Sequence, residues 1–216
     1  CAALGWAPDL VHANDWHTGL AALYLARAGE PWASLPVVFT VHNLAYQGLF
    51  PAADLPRLGL EAFAGRFDPG DLAGGWLNSL KTGIATASVV TTVSPSFARE
   101  MLTPERGMAL DATLCARGDL PVGILNGIGD DWDPLTDPLL PYRYEVGDLE
   151  GKAVSTAALR KRFGLRERPG VPVLGVVSRL DRVKGFDLLR ETMPPLLARN
   201  WVQLAALGTG DPAIAS

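Results

Sequence analysis

Four polar side chains suited to chemistry lie close together in the segment VHANDWHTGL, directly after an apolar run. They are His12, Asn14, Asp15 and His17. His17 precedes the helix-like stretch TGLAALYL, where an uncharged imidazole can form a hydrogen bond with a sugar hydroxyl or a carbonyl. The neighbouring tryptophan offers an apolar ring, and Asn14 or Asp15 could cap the helix that follows. We therefore interpret this segment as a loop that contacts a ligand.

A metal site in this segment is disfavoured by its spacing. His12 and His17 are five residues apart, whereas a spacing of four aligns two ligands on one face of a helix. His12 also lies within the strand-like run, where we expect a hydrogen-bonded histidine of the core. An activated nucleophile is not indicated either, because Cys115 has no histidine near it in the sequence and Ser94 is better explained as a helix cap.

A second candidate site is the segment SRLDRVKGFDLL, which joins a predicted strand to a predicted helix. Arg179 ends the strand, and Lys184 with Gly185 opens the helix. The amino terminus of a helix offers free N–H groups and a partial positive charge, so two cations beside it would bind a diphosphate without a metal. The alternative interpretation is a loop with two solvated cations. No GxxxxGK[ST] motif occurs in the chain, which disfavours ATP hydrolysis of the P-loop type.

Two further loops have a structural and a functional interpretation. In VHNLAYQGLFP, His42 and Asn43 follow a predicted strand, and they form either a turn held by Asn43 or a wall of a ligand site. GTGDPA, residues 208–213, fits the dinucleotide-binding pattern GxGxxA. We prefer a tight glycine turn there, which lets the backbone approach a nucleotide or a neighbouring loop.

Composition excludes several classes of protein. The 216 residues are 48% hydrophobic and 19% charged, with a formal net charge of −4. This predicts a globular core and no nucleic-acid or membrane partner, because a basic surface is lacking. No apolar run has the length of a membrane span, and no secretion signal opens the chain. Two cysteines make no disulfide framework, which favours a cytoplasmic protein.

The elements that must position these residues alternate between strands and helices. Continuous apolar strands that alternate with helices predict a parallel sheet covered on both faces, in the doubly wound α/β class. Ser94 with Pro95 predicts the start of a helix, and Pro194 with Pro195 predicts the interruption of another. We expect strands in DLVHA, LPVVFTVHN, SVVTTVS, VGILNG (buried), VPVLGVVSRL and WVQLAALG. We expect helices in TGLAALYLARAG, NSLKTGIATA, PSFAREML, KAVSTAALRKRFGL (amphipathic) and KGFDLLRETMPPLLARN.

The polar candidates share one position in this pattern. His17, His42, Asn126 and Arg179 all follow predicted strands. In open α/β sheets, ligands bind outside the carboxyl ends of the strands, so these residues predict one crevice between two such sheets. The Asp- and Pro-rich stretch from about residue 129 to 172 interrupts the alternation and is interpreted as a linker.

The ends of the chain suggest an internal piece of a longer protein. The first residue is Cys1 rather than methionine, and the last stretch stops where a strand should lead into a helix. We therefore expect two domains, residues 1–128 and 129–216, both incomplete.

Six segments in this order resemble bacterial glycogen synthases and plant starch synthases across nearly the whole chain. They are DWHTGL, FTVHNLAYQGLFP, NSLKTGI with VVTTVSPSFARE, GILNGI with WDPLTDP, VVSRLDRVKGFDLL and LGTGDP. The resemblance implies a GT-B fold, in which two Rossmann-like domains face each other across a cleft. It implies glucosyl transfer from ADP-glucose to the non-reducing 4-hydroxyl of an α-1,4-glucan, in glycogen biosynthesis, with retention of configuration and with neither metal nor cofactor.

The resemblance also assigns roles to four residues. His17 matches the family histidine that contacts the donor sugar, Arg179 and Lys184 match the pair that binds the donor diphosphate, and Asn126 matches an asparagine near the sugar. The sequence departs from the family at Gly129, where aspartate is common. The donor loop at the family's amino terminus and a glutamate segment near its carboxyl terminus would lie beyond Cys1 and Ser216. We therefore expect the 216-residue chain to be inactive alone.

Two other functions are consistent with the residues. One is a retaining GT-B glucosyltransferase that uses UDP-glucose, of the sucrose- or trehalose-phosphate type. The other is a module that binds glucan without catalysis. The oligomeric state is not predicted by any of these patterns.

Overall fold

A computed structural model describes residues 5–215, and the expectations about Cys1 and Ser216 lie outside the described residues. The chain divides into two compact units, Cys1–Gly127 and Ile128–Ser216. Each unit contains a parallel sheet of its own.

The first unit is built on a four-stranded parallel sheet. The strands of this unit are β1 (Val11–Asn14), β2 (Val37–Val41), β3 (Leu49–Pro51), β4 (Trp76–Asn78), β5 (Val89–Thr92) and β6 (Val122–Gly123). The strand order of the parallel sheet is β1-β2-β5-β6, and β3 and β4 form a separate antiparallel pair that the sequence pattern did not predict.

In the described part of the first unit, six helices accompany these strands, and side-chain caps explain where three of them begin. The helices are α1 (Ala21–Ala28), α2 (Leu55–Leu58), α3 (Pro69–Ala73), α4 (Ser79–Thr86), α5 (Pro95–Glu100) and α6 (Asp111–Ala116). The Ser94 hydroxyl accepts the Phe97 N–H at 3.0 Å, which confirms the predicted cap of α5. Asn78 caps α4 through the Lys81 N–H at 2.9 Å, and Asp68 caps α3 in the same way.

The core of the first unit packs against one face of β2, which is one of the two inner strands of the sheet. Val37, Phe39 and Val41 point to this face and are buried, whereas Val38 and Thr40 on the other face are partly exposed. Phe39 packs closely on Gly83 of α4, where a Cβ atom would clash with its ring. A second, smaller apolar cluster lies under the segment between β3 and β4, around Leu60.

Within residues 128–215, the second unit contains a pair of parallel strands and three helices. The elements are α7 (Glu150–Arg162), β7 (Val173–Val177), α8 (Phe186–Ala198), β8 (Gln203–Leu207) and α9 (Pro212–Ala215). The register pairs Val173 with Gln203 and Val177 with Leu207. β7 and β8 are joined through α8, so this part of the unit is a single βαβ crossover.

The predicted alternation of strands and helices is confirmed, with three differences. VGILNG is not a buried strand, because only Val122 and Gly123 pair with β5 at the sheet edge and Ile124 is 59% exposed. Helix α8 runs without interruption through both prolines. Each proline has a φ that fits a helix but removes one backbone hydrogen bond, and the packing of the buried Met193 beside them opposes this loss. Helix α7 forms as predicted, but its apolar face is only partly buried.

None of the helices within residues 5–215 combines the length and the apolar character that crossing a membrane requires.

Candidate functional site

The loop after β1 carries His17 in a tight turn. β1 ends at Asn14, and a 3₁₀ turn over Trp16–Thr18 leads to α1. The Thr18 hydroxyl accepts the Asn14 N–H at 2.6 Å and lies 2.7 Å from the Asn14 carbonyl oxygen, to which it donates. His17 is therefore held at the carboxyl end of β1, as predicted, with its side chain exposed.

Asn14 and Asp15 do not cap the helix, contrary to the expectation from sequence. No side-chain cap forms at Asp15, and both residues instead bind the loop after β2. Asp15 accepts the backbone N–H of His42 at 2.8 Å, and the Asn14 amide oxygen lies 3.0 Å from Nε2 of His42. β1 and β2 are adjacent and parallel, so their carboxyl ends bring the loops that follow them within hydrogen-bond distance of each other.

His12 is not a core histidine, because strand alternation puts it on the opposite side from the buried Ala13. It is exposed, and its Nε2 lies 2.7 Å from the Thr40 hydroxyl of β2. The part of the prediction that concerns its hydrogen bonding is thus confirmed, and the part that concerns burial is wrong.

A cavity of about 680 Å³ opens beside His17 within the first unit. The His17 ring stacks on Trp16 with centroids 3.9 Å apart, and Phe50 lies 5.9 Å from Trp16. The lining residues that matter for ligand chemistry are Trp16, His17, Tyr24, Phe50, Asp54 and Arg57. Aromatic rings beside a carboxylate and a guanidinium suit a sugar, whose ring has apolar faces and a polar rim.

The walls of this cavity are fixed by hydrogen bonds. Ser79, the first residue of α4, donates its hydroxyl to the Trp16 carbonyl at 2.6 Å. Tyr24 of α1 donates to the Leu58 carbonyl at 3.1 Å. Arg57 and Asp54 form an ion pair at 3.2 Å. These three contacts link the residues of the cavity walls to one another.

Sequence reasoning missed three of these residues, namely Tyr24, Asp54 and Arg57. Phe50 belonged to the loop that the sequence singled out. Asp54 and Arg57 come shortly after that loop, and their i,i+3 spacing could have predicted their ion pair but not their place in the cavity. Tyr24 was one of many apolar residues of α1, and only its position in the fold distinguishes it.

Asn43 holds a structural turn, which is one of the two interpretations that the sequence suggested for its loop. Its side-chain oxygen accepts the Ala45 N–H at 2.8 Å, the pattern of an Asx turn. The remainder of this loop docks on the start of α4, where the Gln47 carbonyl accepts the Leu80 N–H at 2.9 Å.

In the second unit, Arg179 and Lys184 lie on the loop between β7 and α8, as predicted. Both side chains are exposed. Lys184 ends a 3₁₀ turn, and Gly185 precedes α8 in a left-handed conformation with φ of 74°. A cavity of about 400 Å³ lies on this loop and is lined by Arg179, Leu180, Asp181, Thr209, Gly210 and Asp211.

The glycine turn after β8 brings the backbone against this same loop. The Leu180 N–H donates to the Thr209 carbonyl at 2.9 Å, and the Asp211 N–H donates to the Leu180 carbonyl at 2.9 Å. A Cβ atom at Gly208 would clash with the Ser178 carbonyl, and one at Gly210 with the Leu180 backbone. The expected close approach of this turn to a neighbouring loop is confirmed.

Asn126 lies near the end of the first unit, three residues beyond β6, with an exposed side chain. His17 and Asn126 thus belong to the first unit, and Arg179 and Lys184 to the second. Among residues 5–215, no group of three or more His, Cys, Asp or Glu side chains is arranged to hold a metal ion.

The family described as "Starch synthase catalytic domain" matches residues 1–116. The chain is 49% identical to a glycogen synthase of Anaeromyxobacter dehalogenans, a match that covers 98% of this chain and 45% of that protein. It is 46% identical to glycogen synthase 1 of Rhizobium meliloti, over 98% of this chain and 43% of that protein. The chain thus spans somewhat less than half the length of these relatives.

A solved structure is also similar to this chain. The catalytic domain of starch synthase IV from Arabidopsis thaliana, bound to ADP and acarbose, matches with a TM-score of 0.86 and 36% identity. The match covers 99% of this chain and 45% of the plant chain. It confirms the predicted α/β fold of the GT-B class. This chain therefore belongs to the starch synthase catalytic domain family.

Proposed function

We propose that this chain is part of a retaining glucosyltransferase that elongates an α-1,4-glucan from ADP-glucose in glycogen biosynthesis. The observation that carries the proposal is the cavity beside His17, with aromatic and charged walls, in a chain of the starch synthase family. The glycogen synthases among its relatives and the plant structure that was solved with ADP and acarbose support the same substrate classes.

In the proposed reaction, the bond between the glucose anomeric carbon and the phosphate oxygen breaks. A bond forms between that carbon and the 4-hydroxyl oxygen of the glucan, and the hydroxyl proton passes to the departing phosphate oxygen. Retaining glycosidases achieve the same stereochemistry with two carboxylates, but the sequence offers no such pair. A front-face mechanism, in which the leaving phosphate guides the acceptor, needs none.

We assign His17 and Asn126 to the sugar. An imidazole that stacks on Trp16 has its edge available for a sugar hydroxyl, and the aromatic rings of the cavity offer surfaces for further glucosyl units. The exposed Asn126 amide provides a donor and an acceptor without a charge.

We assign Arg179 and Lys184 to the diphosphate. Negative charge develops on the departing ADP, and cations beside a helix start stabilise that charge where it forms. Removal of such a preorganised contact costs on the order of 2–4 kcal/mol of transition-state stabilisation. Arg179 lines the cavity of this loop together with Asp181 and Asp211. Each of these two carboxylates accepts a backbone N–H, from Val183 at 3.3 Å and from Ala213 at 2.9 Å, so one oxygen of each is bonded within its own loop.

Nucleotide titration by calorimetry tests the donor assignment. We expect ADP-glucose to bind the chain more tightly than UDP-glucose, and Arg179→Ala or Lys184→Ala to weaken ADP binding about tenfold or more, because each removes a charge-assisted hydrogen bond. Arg162→Ala, which removes an exposed cation at the end of α7, is the matched control and should leave binding unchanged. Equal affinity for the two donors would favour the UDP-glucose alternative.

Maltooligosaccharide titration tests whether the cavity beside His17 binds the glucan. His17→Ala and Phe50→Ala should each weaken binding, whereas His12→Ala should not, since His12 is bonded to Thr40 instead of lining the cavity. His42→Ala belongs in the same series because its loop is tied to that of His17 through Asn14 and Asp15. Loss of binding in His42→Ala alone would transfer the sugar contact from His17 to His42.

A non-catalytic glucan-binding module makes a different prediction. It would bind maltooligosaccharides but not ADP, and the Arg179 and Lys184 variants would match the wild type in every assay.

We also propose a cytoplasmic location, which the low cysteine content and the free thiol of Cys115 support.

A further inference from the structure

The cavity beside His17 has one wall that comes from outside the parallel sheet. Asp54, Arg57 and Leu58 line this wall, and all three lie in the connection between β3 and β4. We call this connection, residues 52–75, the cavity-wall segment. It contains only short helical turns, so its position depends on contacts with the rest of the unit.

Lys81 of α4 is bonded to this segment by two ion pairs. Its Nζ lies 3.0 Å from Oδ2 of Asp71 and 3.2 Å from Oδ2 of Asp68. The Lys81 side chain is 16% exposed, so much of its length is packed within the unit, and its ammonium has the two carboxylates as charged partners.

Asp68 joins the ion pair to the local structure of the segment. Its Oδ1 caps α3 by accepting the Asp71 N–H at 2.9 Å, while Oδ2 faces Lys81. The same carboxylate therefore fixes the start of α3 and ties it to α4. Loss of the Lys81 charge would leave two close carboxylates unpaired at this point.

The first turn of α4 contacts both walls of the cavity. Ser79 holds the Trp16 carbonyl on the wall that carries His17, and Lys81, two residues later, holds the cavity-wall segment. Because one rigid helical turn carries both contacts, it sets the separation between the two walls.

We infer that Lys81 is a positioning residue for carbohydrate binding, which fixes the wall of Asp54 and Arg57 relative to the wall of His17. The inference rests on the proposed function of the cavity, and it adds a residue that lies outside the cavity lining. Lys81 itself acts through the segment that it holds.

Hydrogen exchange and sugar affinity, measured on the same variants, test this role. Lys81→Met keeps the length of the side chain but removes the charge, and Lys81→Arg restores the charge. We expect Lys81→Met to speed amide exchange in residues 52–75 and to weaken maltooligosaccharide binding by about tenfold, as loosened segments exchange through local opening. Lys81→Arg should recover most of both effects.

A destabilised control separates positioning from general loss of stability. Val90→Ala removes two methyl groups from a buried site in β5, away from the cavity lining, and should lower stability without changing sugar affinity below the unfolding transition. Equal loss of affinity in Val90→Ala, or wild-type exchange in Lys81→Met, would overturn the positioning role. A wild-type chain that binds no maltooligosaccharide but shows the expected exchange would instead overturn the proposed function of the cavity.

Discussion

The carboxylate of Asp15 accepts the backbone N–H of His42 at 2.8 Å, and this contact joins the loops that follow β1 and β2. Asp15 has φ of 56° and ψ of −178°, a region that residues other than glycine rarely occupy. The hydrogen bond to His42 helps to hold this conformation. A strained aspartate thus fixes the turn that carries His17.

Asp15→Ala should therefore lower the free energy of unfolding by about 1 kcal/mol, because the His42 N–H loses its acceptor. Asp15→Asn keeps an oxygen in the same place, so the free energy of unfolding should fall by less than in Asp15→Ala. Urea denaturation at neutral pH measures both changes. A variant Asp15→Ala as stable as the wild type would mean that water replaces the carboxylate without cost.

The ion pairs of Lys81 predict a stability that depends on pH at both extremes. The Asp71 backbone N–H, followed by Lys81, lowers the pKa of Asp68 below its usual 3.8. Burial of Lys81 opposes its charge, but hydrogen bonds and charge from Asp71 and Asp68 outweigh burial and raise the Lys81 pKa above its usual 10.5.

The directions of these two pKa shifts define the pH range over which each group stabilises the folded chain. The Asp68 contribution is complete above pH 3.8 and is lost as pH falls through its lowered pKa, while the Lys81 contribution is complete below pH 10.5 and is lost as pH rises through its raised pKa. The stability difference between wild type and Lys81→Met should therefore be constant between these values and shrink outside them. Denaturation across the pH range measures it, and a difference that grows in acid would contradict the pairing.

Gly208 should be intolerant of a side chain, because an added Cβ would clash with the Ser178 carbonyl on the loop that carries Arg179. We expect Gly208→Ala to destabilise the chain by about 1–3 kcal/mol and to weaken ADP binding, as overpacking displaces the backbone. Gly175→Ala is the matched control in β7, where an added Cβ would meet open space. Calorimetry measures the ADP affinity of both variants, and urea denaturation measures their free energies of unfolding. Equal affinity and equal stability of Gly208→Ala and Gly175→Ala would contradict the predicted clash.

Arg117 connects the end of α6 to the end of α4. Its guanidinium donates to the carbonyls of Ile84, at 2.5 Å, and Ala87, at 3.0 Å, and it pairs with Asp119. Arg117→Lys loses this fork of donors and should cost about 2 kcal/mol of unfolding free energy, since the accepting carbonyls lose charged partners. Asp119→Asn should be almost neutral, because the carboxylate is exposed. If Asp119→Asn were the more damaging change, the carbonyl contacts would not be the important ones.

Local sequence signals predicted most of the regular structure. Ser94 and Pro95 predicted the start of α5 because a cap needs only residues within one helical turn. β2 was predicted from its continuous apolar residues, as a strand with helices on both faces must be apolar on both. The antiparallel pair of β3 and β4 was not predicted, since its two three-residue strands are separated by 24 residues and carry no local periodicity.

The candidate site was predicted only in part. His17, His42 and Arg179 were found because they follow strands, and in parallel sheets that position alone points to ligand binding. The role of Asp15 was mistaken for a helix cap, because capping is the local use of an aspartate and the contact with His42 spans 27 residues.

The sequence by itself determined the α/β class, the order of strands and helices, and the loops at which polar residues gather, because these depend on periodicity and on contacts within a few residues. Tertiary structure alone decided that Tyr24, Phe50, Asp54 and Arg57 line one cavity with His17, and that Lys81 holds its wall. The physical reason is that a cavity joins side chains from elements distant in sequence, and no local pattern records which of them meet.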